Sequence, residues 1–208
     1  MDIAIIDYGI GNLRSAEKAF QHLGFDAKLT QDPADLGRAK KLVLPGVGAF
    51  GQCMAALRAR GFVEPLLQAV NAGVPLLGIC VGLQMLFEQS EESPGVEGLG
   101  ILRGSILRFS GPAFQGLDSL KVPQIGWNAL EFASPPHPLF AGISAGSHVY
   151  FVHSFFPKPA DESTALAWVD YGGRFCCAAG WRNVAGVQFH PEKSQTIGLK
   201  ILTNYGRI

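Results

Sequence analysis

The chain has 208 residues, of which 48% are hydrophobic, enough apolar material for a sizeable core and too much for a disordered chain. Lys plus Arg and Asp plus Glu each number 17, so the formal net charge is zero, which argues against binding nucleic acid or an anionic membrane through bulk electrostatics. Charged residues make up only 16%, against about 25% in average soluble proteins, a shortfall that hints at a partner covering part of the surface.

Ile3–Ile6 is a short apolar run suited to a strand buried on both faces. After the turn at Gly9 and Gly11, Leu13, Ala16, Phe20 and Leu23 recur at helical spacing, with Gly24 as the stop. Residues 27–29 read as a second strand, and Asp32-Pro33 as an N-cap followed by proline at the first helical position. Residues 42–44 form a third buried strand ended by Pro45-Gly46, with helices around 51–60 and 62–71. Residues 74–79 form a fourth strand, leading through Cys80 into a helix from Gly82 to Phe87. This alternation over the first ninety residues implies right-handed crossovers and a parallel sheet. The second half reads differently, as strands near 101–109, 120–130, 149–155, 164–169, 174–181 and 184–189 joined by turns. A last helix runs from Ser194 or Gln195 to Tyr205.

No apolar run approaches the ~18 residues of a membrane span, and Asp7 interrupts the first apolar stretch, so neither a span nor a signal peptide is expected. Cys53, Cys80, Cys176 and Cys177 show no C-x-x-C spacing; they are too sparse for a disulfide scaffold and fit a reducing cytoplasm.

The sharpest local feature is Gly78-Ile79-Cys80-Val81-Gly82-Leu83-Gln84, a thiol between two glycines at a strand-to-helix turn. It is a cysteine version of the nucleophile elbow. Flanking glycines let backbone segments approach closely, and a helix start beyond the turn favours the thiolate. The Val81 N–H would be free there to face a developing oxyanion, and Gln84, four residues after Cys80, can face the same pocket. The competing reading is an inert core cysteine, the usual fate of a free thiol and the expectation for Cys53, Cys176 and Cys177.

A base candidate lies in Val187-Gln188-Phe189-His190-Pro191-Glu192. Pro191 biases His190 toward an extended backbone, and residues two apart on an extended segment share a face. Glu192 would then orient one imidazole nitrogen and leave the other to meet a thiol, a Cys–His–Glu arrangement for acyl transfer. His22, His137, His148 and His153 show no metal-binding spacing, so no metal is expected. Pro45-Gly46-Val47-Gly48-Ala49-Phe50-Gly51 can bring backbone N–H groups to an anion. Asp7-Tyr8-Gly9-Ile10-Gly11-Asn12 fails as a dinucleotide fingerprint, because Arg14 stands where a small residue is required.

The elbow G-x-C-x-G-x-Q with a distant H-P-E resembles the triad-type, class I, glutamine amidotransferases. Within that family the chain is similar to the glutaminase subunits of imidazole glycerol phosphate synthases, through residues 7–13, 45–50, 125–128 and 150–154. The resemblance implies one domain over residues 1–208: an α/β fold with an open, mostly parallel central sheet flanked by helices and additional antiparallel strands in the second half. It implies that Cys80 attacks the side-chain amide of L-glutamine, with His190 as proton shuttle and Glu192 as its orienter. Val47 and Val81 would supply the oxyanion hole, and Gly48, Gln84, His153 and Ser154 would surround bound glutamine. No cofactor is implied, and the partner is a (β/α)₈-barrel cyclase in a heterodimer that uses the ammonia. Trp127 and Asn128, read as a loop after Gly126, together with Lys193, are expected to dock on that barrel. Two departures are Gln124 where the pattern has His and Phe155 where it has Tyr, which bear on pocket and interface rather than on the reaction. The alternatives are a stand-alone γ-glutamyl cysteine hydrolase and a non-catalytic α/β partner-binding module.

Overall fold

A computed structural model describes residues 1–208. The chain runs β1 (Ile3–Ile6), α1 (Leu13–His22), β2 (Ala27–Thr30), a 3-10 turn Pro33–Arg38, β3 (Lys41–Gly46), α2 (Phe50–Ala59), α3 (Val63–Asn71), β4 (Leu76–Cys80) and α4 (Val81–Met85). It continues through β5 (Gln89–Ser90), β6 (Gly104–Arg108), β7 (Gln124–Ala129), β8 (Glu131–Phe132), β9 (His148–His153), β10 (Phe155–Pro159), β11 (Ala165–Asp170), β12 (Arg174–Trp181), β13 (Val184–Val187) and α5 (Gln195–Arg207).

One eight-stranded sheet has the order β2-β1-β3-β4-β13-β12-β11-β8. Its first five strands are parallel, and β12, β11 and β8 extend it antiparallel. β10-β6-β5 form a small second sheet, and β7 pairs with β9 in a two-stranded ribbon. Every residue of β1 is fully buried, as a parallel strand covered on both faces requires. Helices α1 and α5 pack together, and α2 packs on α4. No helix is long and apolar enough to cross a membrane.

Several expectations need correction. β3 does not stop at Pro45-Gly46 but runs through it, pairing Pro45 with Ile79 and Gly46 with Cys80. β1 pairs with β3 only as far as Val43, so the missing Pro45 N–H interrupts no ladder on that side. The helix after Cys80 is shorter than expected; beyond Met85 the turn tightens, with Leu86 and Phe87 donating to Leu83 and Gln84, three residues back. The segment 149–155 is two strands broken at Ser154, β9 joining β7 and β10 joining β6. Trp127 and Asn128 are not in a loop: both lie within β7, where Trp127 pairs with Tyr150 and Asn128 with Val149.

The consequence for function is where four adjacent strands end. The carboxyl ends of β1, β3, β4 and β13 lie side by side, the edge at which open α/β sheets bind ligands. They lead into the Asn12 loop, the Val47 loop, Cys80 and His190 respectively.

Candidate active site

Cys80 has φ 56° and ψ −114°, a backbone conformation that side-chain-bearing residues rarely adopt. The glycines around it show why the turn is so tight. A Cβ on Gly82 would collide with the Leu44 carbonyl, and one on Gly78 would sit 2.8 Å from the Gly82 carbonyl oxygen. A Cβ on Gly46 would lie 2.7 Å from the Gly82 nitrogen, so the β3 loop backbone rests directly on the elbow. Three glycines thus bring the Val47 and Val81 segments together, and both residues line the cavity at Cys80.

Cys80 opens into a cavity of about 280 Å³. Val47, Gly48, Val81 and Gln84 line it from the two glycine turns, and His153, Ser154 and His190 from β9 and the end of β13. The size is at the small end of ligand pockets, about 300–1,000 Å³, and suits a single amino acid. Cys53, Cys176 and Cys177 do not line the cavity, although Cys53 sits just behind it and donates to the Val47 carbonyl at 3.3 Å; burial raises all three thiols, Cys176 to about 12. They match the inert reading.

His190 Nδ1 lies 2.8 Å from Glu192 Oε1, and both side chains are 3% exposed. The route to that contact differs from the one expected. His190 is extended, but Pro191–Lys193 is a 3-10 turn closed by Lys193 N–H donating to the His190 carbonyl. Proline at the first position of the turn sets its direction, so the pair meets across a turn rather than along a pleat. Burial opposes charge on His190, but hydrogen bonds and charge from Cys80 and Glu192 outweigh it and lift the ring to about 10. Cys80 and His190 line the same cavity, and the nitrogen that Glu192 leaves free is Nε2. Buried Ser194 holds the His190 backbone: its hydroxyl donates to the His190 carbonyl at 2.7 Å and accepts from Tyr150 N–H at 2.9 Å.

The expected substrate residues line the cavity with one qualification. Gln84 directs its amide nitrogen to Phe155 O (3.1 Å) and Gln188 Oε1 (3.0 Å), so its N–H groups are engaged within the protein. His153 Nδ1 faces the Phe155 carbonyl at 2.8 Å and must donate to it, while burial pushes the ring down to about 4 and keeps it neutral.

Sequence reasoning missed four residues. Gln188 Nε2 donates to Cys80 Sγ at 3.8 Å; standing two before His190 near the strand end, it shares that face, a signal the alternation could have supplied. Asn12 Nδ2 donates to Glu192 Oε1 at 3.2 Å across 180 residues. Glu92 is the one carboxylate lining the cavity and accepts the Phe50 N–H at 2.7 Å. Ser194 completes the set. None of these last three has a local motif, because only folding brings them in.

Of the three expected docking residues, Trp127 is 43% exposed and packs edge-on against Tyr150, and Lys193 is exposed beside Glu192. Asn128 does not share the Trp127 face, since neighbours on a strand point oppositely. It is half-buried, accepting from Gln124 Nε2 at 2.7 Å and donating to the Asp170 carbonyl at 3.3 Å. No group of three or more His, Cys, Asp or Glu residues is placed to hold a metal ion.

The profile of the glutamine amidotransferase class-I family matches residues 4–205. An imidazole glycerol phosphate synthase subunit HisH from Syntrophotalea carbinolica is 53% identical over 98% of each chain. Its namesake from Geobacter sulfurreducens is 50% identical over 99% of this chain and 98% of its own. Among solved structures, a glutamine amidotransferase superposes with a TM-score of 0.75 at 20% identity, covering both chains completely. The PurLQS structure from Thermotoga maritima gives 0.73 at 20% identity, over 98% of this chain and 96% of the other. At such identities these two likenesses speak to the fold alone.

Proposed function

The chain belongs to the class I glutamine amidotransferase family, in the branch of imidazole glycerol phosphate synthase subunits, and from that membership we propose how its residues carry out the reaction. It is the glutaminase subunit of an imidazole glycerol phosphate synthase, an enzyme of histidine biosynthesis. The observation that carries the residue assignment is the left-handed Cys80 turn opening, beside the His190–Glu192 pair, into one amino-acid-sized cavity.

In this reading Cys80 Sγ attacks the side-chain amide carbon of L-glutamine. His190, already carrying the proton as a charged imidazolium beside the thiolate, passes it to the leaving nitrogen, so that ammonia departs and a glutamyl thioester remains. Water then adds with His190 as base, and glutamate and the free thiol are restored. The N–H groups of Val47 and Val81, drawn together by Gly46 and Gly82, receive the negative charge on the carbonyl oxygen. Glu92 suits the substrate's α-ammonium by charge, with Gly48, Gln84, His153 and Ser154 completing the wall. Glu192 orients His190 and offsets its charge.

The ammonia goes to a (β/α)₈-barrel cyclase subunit, in a heterodimer with no part for nucleic acid or a membrane. Its docking face is the outer side of the β7–β9 ribbon, where Ile125 is 64% and Trp127 43% exposed, with Lys193 alongside. Four free thiols suit a cytoplasmic setting.

The test separates the two half-reactions. In complex with the barrel cyclase, Cys80→Ala should lose glutamine-dependent product, by as much as on the order of a millionfold for a triad nucleophile. The same complex should still make imidazole glycerol phosphate from an ammonium salt at alkaline pH. Retained glutamine-dependent turnover would overturn the nucleophile assignment.

A further inference from the structure

Gln188 is fully buried two residues before His190, and its side chain ends beside the sulfur of Cys80. It is not among the residues lining the cavity, so its contact is with Cys80 and not with whatever the cavity holds.

The two ends of a side-chain amide are chemically opposite, and the network around Gln188 fixes which end faces the sulfur. The Phe155 carbonyl can only accept, so Gln84 must direct its nitrogen there, at 3.1 Å. The same nitrogen lies 3.0 Å from the Gln188 amide, which must meet it with Oε1. Gln188 is left with Nε2 toward Cys80 Sγ, at 3.8 Å. Turning Gln188 over would set nitrogen against nitrogen. Turning Gln84 over as well would set its oxygen against the Phe155 carbonyl oxygen. That carbonyl is firmly held: Phe155 pairs with Arg108 in the second sheet, and its oxygen also receives the His153 Nδ1–H at 2.8 Å. One backbone carbonyl thus dictates, through two buried amides, that the sulfur meets a donor. A hydrogen bond to a charged acceptor is about twice as strong as one between neutral groups, so an N–H fixed there favours thiolate over thiol. An amide brings no charge of its own and has no proton to give up near neutral pH.

We propose that Gln188 is a further catalytic residue of the glutaminase reaction, its amide N–H being the fixed donor that stabilises negative charge on Cys80 Sγ. The inference rests on the reading given above and extends it to a second step. The N–H acts on the thiolate before attack and again when the thioester is cleaved. There water adds to the thioester carbon and gives one proton to His190. The C–S bond then breaks, its electron pair returns to Sγ, and the N–H of Gln188 receives that charge. The remaining water proton leaves with the new carboxyl group. The titratable groups around the sulfur are His190, with Glu192 behind it, Glu92 and His153 on the cavity wall, and Tyr8 and Cys53. All of them are kept in the test.

The experiment is alkylation by iodoacetamide over a range of pH, on the full chain in complex with the barrel cyclase, with the labelled cysteine identified by mass mapping. The natural chain is compared with Gln188→Met and Gln188→Leu, which keep bulk and remove the donor. Loss of a hydrogen bond to a charged acceptor should raise the midpoint of Cys80 labelling by about one to two pH units and lower kcat for glutamate release about tenfold. A residue that only packs would not move the midpoint. An unshifted midpoint, or a shift with undiminished kcat, overturns the proposal. Cys53, Cys176 and Cys177 are buried and report folding, so a variant in which they stay unlabelled is the one read. Labelling of all four thiols in both variants would make Gln188 a core residue and overturn the proposal as well. If the natural complex releases no glutamate, the glutaminase reading fails, while the Cys80 midpoint still decides whether Gln188 donates to the sulfur.

Discussion

Asn12 occupies the position before α1 where asparagine is among the preferred capping residues, yet its side chain makes no capping bond. It reaches instead to Glu192 Oε1, the same oxygen that faces His190, and the helix start behind it favours the carboxylate's charge. A cap worth about 1 kcal/mol is forgone for a contact behind the His190–Glu192 pair. In the proposed mechanism Asn12 is therefore a positioning residue. Hydrogen bonds to charged groups contribute about 1.5–3 kcal/mol, so Asn12→Ala should lower kcat about tenfold or more. KM for glutamine should hold, because Asn12 acts through Glu192 and not on substrate. Steady-state kinetics with purified complex decide it; a rise in KM at constant kcat would remove the role. At this scale the Cys80 turn and the His190–Glu192 contact were legible because their neighbours along the chain announce them. Asn12, Glu92 and Gln188 were not, since each is defined by a contact with a residue far from it in sequence.

At the level of elements, the β4–α4 elbow stores strain in one residue. Cys80 holds φ 56° in a turn where neither Gly46 nor Gly82 leaves room for a Cβ. Such a conformation costs a side-chain-bearing residue about 1–3 kcal/mol and glycine much less. Cys80→Gly should thus be more stable than Cys80→Ala by about 1 kcal/mol in urea denaturation, both variants lacking the thiol. Equal midpoints would mean that the turn relaxes in the variants and carries no strain. The β7–β9 ribbon makes a second prediction. Its inner face holds Phe151 and Val149 in the core, while Trp127 packs only on Tyr150 outside it. Trp127→Ala should therefore leave the melting temperature nearly unchanged and weaken association with the barrel cyclase by ~2 kcal/mol or more. Calorimetric titration of the two subunits measures this directly. Unaltered affinity would move the docking face elsewhere.

Across the whole molecule, two buried histidines on opposite sides of their ordinary value shape stability against pH. His153 titrates near 4 when folded, because burial disfavours its charge. From an unfolded value of about 6.5 down to 4, the unfolded chain binds a proton that the folded one refuses, so stability falls with falling pH, by about 3 kcal/mol in total. Burial lowers His137 as well and adds to that limb. His190 is raised to about 10 by its Cys80 and Glu192 partners against burial. Its contribution is complete below about 6.5 and is lost as pH climbs through 10. Stability from these groups should crest near pH 6.5, and chemical denaturation at a series of pH values checks it. His153→Gln should flatten the acid limb and Cys80→Ala the alkaline one.

The sequence by itself determined the parallel half of the sheet and the strand-to-helix turn at Cys80. Buried parallel strands are continuous apolar runs, and a Gly-x-Cys-x-Gly turn is specified by steric needs within five residues, so both signals are local. It also determined that His190 and Glu192 belong together, though not how, since a proline-led 3-10 turn and an extended segment bring residues two apart into reach by different routes. Only the tertiary structure decided that β9 and β10 part at Ser154, that Trp127 faces out while Asn128 faces in, and that Asn12, Glu92 and Gln188 join the site. Strand pairing and long-range hydrogen bonds depend on which segments lie side by side after collapse, and that choice is made by the whole core, not by any stretch of the chain.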